Sequence, residues 1–146
     1  MIPMNDLLTT LDKMQDVLAS LTIVMDEEQQ QLSAAQVNGS LLQRITEDKT
    51  ALLATLNYLD EMRRKAGQTL GVQAPYRGHS DIARRWASIQ QHTQRLSMAN
   101  KHNGLLLQHQ ISFTQDALAV LKPHQTQAFY GPDGRGLGQA TLSRKA

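Results

Sequence analysis

The apolar side chains of the first segment fall at Met4, Leu7, Leu11, Met14, Leu18, Leu21 and Met25, then at Leu32 and Ala35. Glu28 stands where one more apolar residue is due. Steps alternating between three and four residues trace one face of a helix, so the pattern predicts a helical seam over about residues 4–35. At 1.5 Å per residue it is about 48 Å long. Asn38-Gly39 ends it, and Ser40 with Gln43 reads as a capping box opening a second helix over about residues 40–65. That helix carries the stripe Leu42, Ile45, Leu52, Leu56, Leu59 and Met62, with Lys49 in the gap, and Arg63-Arg64-Lys65 in its last turn.

Residues 66–80 (AGQTLGVQAPYRGHS) hold three glycines and a proline without a period, which predicts a loop, with Ser80 capping a third helix over about residues 81–122. Its seam runs Ile82, Trp86, Ile89, Thr93 and Leu96, turns polar at Asn100 and Asn103, and resumes at Leu107, Ile111, Leu118 and Leu121. Pro123 is expected to stop it, leaving 123–146 as a flexible tail. The expected architecture is all-α: an elongated antiparallel three-helix bundle or coiled coil over 1–122, with a long third helix and that tail. In an up-down-up arrangement the third helix outruns the second by about 24 Å. The overhang from about Leu107 carries a second apolar stripe, Leu106, Phe113, Ala117 and Val120, beside the seam. Two stripes where neighbours are fewest admit two readings: a helix that kinks at Gly104 and folds back, or a surface for a partner helix or self-association. The polar stretch Asn100 to Gly104 (NKHNG) is similarly open between a core layer that fixes register and a hinge.

Composition narrows the chemistry. The chain of 146 residues is 40% hydrophobic with six aromatics beside 21 leucines and 17 glutamines, which suits one helical domain and disfavours a β-sandwich or barrel. With no cysteine there is no disulfide framework, thiolate metal site or cysteine nucleophile. Acids interrupt every apolar run near the N-terminus, so neither a signal peptide nor a membrane span is expected, and the chain is predicted to be cytoplasmic. Asn38-Gly39-Ser40 is then a turn, not a glycosylation site. The net charge of +2 divides into −5 over residues 1–35, +1 over 36–66 and +6 over 67–146. A basic second half fits nucleic acid, or an acidic first helix packed beside a basic later one.

No catalytic or metal constellation emerges. Of His79, His92, His102, His109 and His124, only His102 and His109 share a face, and seven residues place them about 10 Å apart, too far for one ion. Gly131, Gly134, Gly136 and Gly138 lack the strand, helix and Lys-Ser/Thr of a phosphate loop. No enzyme, cofactor or metal is expected. In the tail, Ala128-Phe129-Tyr130 followed by Gly131-Pro132-Asp133-Gly134 is a candidate docking motif, or a pair that folds back on the bundle.

Taken together, VMDEEQQQL (24–32), NGS (38–40), ITEDKTALLATLNYL (45–59), NKHNGLLL (100–107), ALAVLKPHQ (117–125) and FYGPDG (129–134) resemble the FlgN family of flagellar type III export chaperones. Each motif is short; their order and spacing over nearly the whole chain carry the resemblance. It implies a cytoplasmic helical chaperone that binds the C-terminal segments of hook-associated (hook-filament junction) proteins, prevents their premature assembly and delivers them to the export gate. It assigns substrate binding to Leu106, Leu107, Ile111, Phe113, Ala117, Leu118, Val120 and Leu121, and docking on the cytoplasmic domain of the gate to Tyr130. The competing classes are a self-associating coiled-coil structural protein, against which loops at 36–39 and 66–80 break the heptads, and a nucleic-acid-binding helical protein. Against the latter, Arg84, Arg85, Arg95 and Lys101 are spread along the third helix. Neither nucleic acid nor membrane insertion is expected. Monomer and homodimer are both compatible with the seam.

Overall fold

The computed structural model describes the backbone of residues 3–129 and the side chains of residues 4–120. It contains three helices, α1 (Pro3–Leu32), α2 (Gly39–Leu70) and α3 (Ser80–Phe129), and no strand among the described residues. The chain divides into two compact units, Met1–Leu106 and Leu107–Ala146. The first unit is an up-down-up three-helix bundle. Along α1 and α3 the pairs Asp12–Arg85, Thr22–His92 and Glu28–Asn103 advance together, so these helices run parallel. Between α2 and α3, Lys49 meets Asn100 and Arg63 meets Trp86, so those two run antiparallel.

The predicted α1 seam is the core. Leu7, Leu11, Met14, Leu18, Leu21 and Met25 are buried against Leu59 of α2 and Ile82, Ile89 and Leu96 of α3. Each such side chain contributes about 1.5–3 kcal/mol of gross transfer free energy, which is what holds three individually marginal helices together. On α3 the expected seam position Thr93 is exposed, and its neighbour His92 takes the α1-facing place with its Nε2 2.8 Å from the Thr22 hydroxyl. Burial, with Arg95 nearby, holds the His92 imidazole below its ordinary value.

Helix boundaries differ from the sequence reading at each end, for local reasons. Past Leu32 the α1 helix gives way to a turn in which Ala34 N donates to Gln31 O and Asn38 N donates to the Gln31 side chain. The cap of α2 is Asn38 rather than Ser40: its Oδ1 accepts from Leu41 N at 3.1 Å. The cap of α3 is one residue earlier than Ser80, since His79 O accepts from Ala83 N. The α2 helix also continues past residue 65 to Leu70. Gly67 lies within it, and a Cβ there would lie 2.8 Å from Val72 O; the missing side chain is the space into which the chain turns back. Gly71, in the left-handed conformation, then closes the helix with Gly71 N donating to Gln68 O and Val72 N to Gly67 O. Pro123 does not end α3, whose backbone is helical to Phe129. Proline removes one hydrogen bond at a cost of about 3 kcal/mol, and good helix formers (ALAVLK before it, HQTQA after it) lie on both sides.

The connection after α2 is an anchored corner. Tyr76 is almost wholly buried with φ 65°, and its ring meets Trp86 edge to face at a centroid distance of 5.9 Å. A left-handed conformation costs a residue with a Cβ about 1–2 kcal/mol. Burying 150–250 Å² of aromatic surface returns about 4–6 kcal/mol, so packing wins. Arg63, rather than the expected Met62, continues the buried stripe of α2; Met62 is exposed. Its guanidinium lies 4.2 Å from the Trp86 ring centroid, donates through Nη1 to Tyr76 Oη at 2.7 Å, and pairs through Nε with Asp60 at 2.8 Å. Burial works against that charge, and the bonds to Asp60 and Tyr76 outweigh it, holding the group above its ordinary value.

Candidate functional site

The four polar interruptions of the helical seams meet in one place. Lys49 Nζ donates to both carboxylate oxygens of Glu28 at 3.0 and 2.9 Å and to Asn100 Oδ1 at 2.9 Å. Asn103 Nδ2 donates to Glu28 Oε1 at 2.9 Å and to Met25 O at 3.0 Å. Asn103 is 3% exposed, and no buried side-chain polar atom among the described residues lacks a partner. This layer closes the contiguous apolar core at the α1–α2 turn end; Leu32, Leu42 and Ile45 are buried outside that cluster. The polar core layer read from the NKHNG stretch is present. A satisfied polar layer accepts only one pairing of its donors and acceptors, so it fixes the register of α3 against α1 and α2.

Directly after the layer α3 continues as helix through Gly104. From there the segment carries the proposed binding residues. Leu106 ends the first unit, and Leu107 begins the second. Leu106, Leu107, Ile111 and Leu118 are half-buried, whereas Phe113 is 67% exposed, Val120 is 76% exposed, and Ala117 is exposed. At about 100° per residue, Phe113, Ala117 and Val120 fall within about 60° of one another, so they form one stripe facing solvent. Leu105, which the sequence reading passed over, is 70% exposed and extends the apolar surface around the helix. Asp116 is the only formally charged side chain between residues 105 and 120. The Leu121 side chain and Tyr130 lie outside the described residues.

This surface offers apolar area and few charged groups. No group of three or more His, Cys, Asp or Glu side chains that could hold a metal occurs among the described residues. No helix among them is long and apolar enough to cross a membrane. Acidic α1 and basic α3 meet in the Asp12–Arg85 pair at 2.9 Å, the kind of helix-to-helix pairing that the charge division along the chain allows.

A sequence family described as FlgN protein matches residues 1–137. The chain is 52% identical over 132 residues to the flagella synthesis protein FlgN of Salmonella typhimurium, covering 90% of this chain and 91% of that protein. It is 48% identical over 132 residues to the Escherichia coli K12 protein of the same name, with the same coverage. With the Proteus mirabilis protein it shares 31% identity over 142 residues, 97% of each chain. A family match over most of the chain, together with relatives aligned nearly end to end, makes this three-helix protein a member of the FlgN family.

Proposed function

We propose that the protein acts in flagellar synthesis as an export chaperone, binding the C-terminal segments of hook-associated proteins and delivering them to the type III export gate. The observation that carries this reading is the apolar stripe Phe113, Ala117 and Val120, exposed on a nearly uncharged stretch of α3. Exposed large apolar side chains in series serve association, and a partner with its own apolar helix is the complementary ligand. In this reading Leu106, Leu107, Ile111, Phe113, Ala117, Leu118, Val120 and Leu121 cover apolar segments that would otherwise self-associate. Release must be easy, so a modest interface suits the task. Tyr130 docks the loaded chaperone on the cytoplasmic domain of the gate, and all of this takes place in the cytoplasm. The role is binding throughout, and no residue is assigned to catalysis. Relatives named for flagella synthesis support the process; the stripe supports the mode of action.

Co-purification tests it. The full chain should retain a purified hook-associated protein and fail to retain the same protein lacking its C-terminal segment. Equal retention of both would refute the assignment of that segment. Tyr130→Ala should weaken binding to the gate domain and slow export while leaving hook-associated protein binding unchanged; simultaneous loss of both would argue against two separate sites.

A further inference from the structure

Gly104 occupies a helical position that has no evident need of glycine. Its backbone is not left-handed, unlike Gly71 and Gly78, and a Cβ built on it would meet nothing within 4 Å. Gly67 is the contrast within the same protein, since there a Cβ would strike Val72 O. Gly104 therefore weakens α3 without serving turn geometry or close packing. Its position is informative. The residue before it, Asn103, is buried and held to α1 by two hydrogen bonds, and Asn100 is held to α2 through Lys49. The two compact units divide only two residues after it, following Leu106. Upstream, then, α3 is tied to the bundle by side-chain bonds. Downstream, helix propensity matters more, and Leu105, Phe113 and Val120 are exposed.

We propose that Gly104 is an opening point: α3 unwinds and rewinds downstream of it, over residues 105–120, while the polar layer at Asn103 keeps the bundle folded. This rests on the chaperone reading for its consequence. Cargo bound to residues 106–120 must hold that segment helical, so part of the binding free energy goes into ordering the helix, and the complex comes apart faster than a rigid helix would allow. Alanine at this position removes the weakness without filling occupied space.

Hydrogen exchange of the full chain, followed by mass spectrometry, tests the opening point without any ligand. Gly104→Ala should slow exchange of amides 105–115 by about fivefold, the equivalent of about 1 kcal/mol of helix propensity, and leave the amides of α1 unchanged. Ser97→Ala, an exposed α3 substitution upstream of the layer, serves as control and should leave 105–115 unchanged. Unchanged exchange in Gly104→Ala, or slowing spread equally over all three helices, would overturn the proposal. A second arm measures dissociation of a purified hook-associated protein C-terminal segment. Gly104→Ala should lower the off-rate by a similar factor, and an unaltered off-rate alongside slowed exchange would overturn the role in release. If the wild-type chain fails to bind that segment at all, the chaperone reading falls, and the exchange arm still decides whether α3 opens at Gly104.

Discussion

Replacing Lys49 by Met should cost far more than replacing Lys49 and Glu28 together. In the wild type, the Glu28 carboxylate accepts two contacts from Lys49 Nζ and one from Asn103 Nδ2. Lys49→Met leaves a buried carboxylate with a single neutral donor. Breaking a sealed ion pair costs about 3–5 kcal/mol. Here the side chains retain 17% and 9% of their exposure, so water reaches one edge and the expected loss is about 2–3 kcal/mol. Glu28→Met strands only the better-hydrated ammonium, which keeps Asn100, and should cost about 1 kcal/mol. If the two acted independently, the double variant would lose about 3–4 kcal/mol. Because each charge is costly chiefly without the other, Glu28→Met/Lys49→Met should lie within about 1 kcal/mol of wild type, with Asn103 still bonded to Met25 O. Urea unfolding followed by circular dichroism gives the four stabilities, and thermal midpoints should show Lys49→Met falling by about 8–12 °C. Additive losses in the double variant would refute the account of a coupled layer.

Three further outcomes probe the same bundle. Tyr76→Phe removes the hydroxyl that accepts from buried Arg63 and should lower stability by about 1.5–2 kcal/mol, read by urea unfolding; a neutral result would mean that the guanidinium is satisfied without it. Gly67→Ala should destabilise by about 1–3 kcal/mol despite alanine's better helix propensity, because the new methyl meets a backbone carbonyl; a rise in the urea midpoint would contradict the close approach. His92 has a folded value below its unfolded one, so the unfolded chain binds more protons between the two. The stability it contributes is present above about pH 6.5 and is lost as pH falls through that window. The thermal midpoint of His92→Gln should therefore fall less than that of wild type between about pH 7.5 and 5.5. Equal falls would exclude His92 as a contributor.

Most of the bundle is legible in the seam, because a period of three and four survives a few polar substitutions. The seam also marks Glu28 on α1, Lys49 on α2 and Asn100 and Asn103 on α3 as exceptions. That the four exceptions share one layer depends on helix register, a tertiary quantity that periodicity within single helices does not contain. Arg63 and Tyr76 are invisible for a different reason. An arginine in a run of three basic residues reads as a solvated helix end, and a tyrosine in a Gly/Pro loop reads as surface; their contacts with each other and with the Trp86 ring, which are tertiary, explain the burial of both. Helix ends moved where one residue had a competing use, as Gly67 does in making room for Val72 O. The second apolar stripe was legible in the composition of residues 106–120, and its members Phe113, Ala117 and Val120 are exposed. Leu105 was missed because it lies on neither stripe.

Calorimetric titration of the full chain with the purified C-terminal segment of a hook-associated protein compares the wild type with Phe113→Asp/Val120→Asp. Both positions are exposed, so the substitutions spare the bundle core. Ile23→Asp, at a position 62% exposed on α1, provides the control. The account predicts saturable binding by the wild type and by Ile23→Asp, and a loss of at least about tenfold in affinity for the double variant with its helical spectrum intact. Undiminished binding by a folded Phe113→Asp/Val120→Asp chain would contradict it.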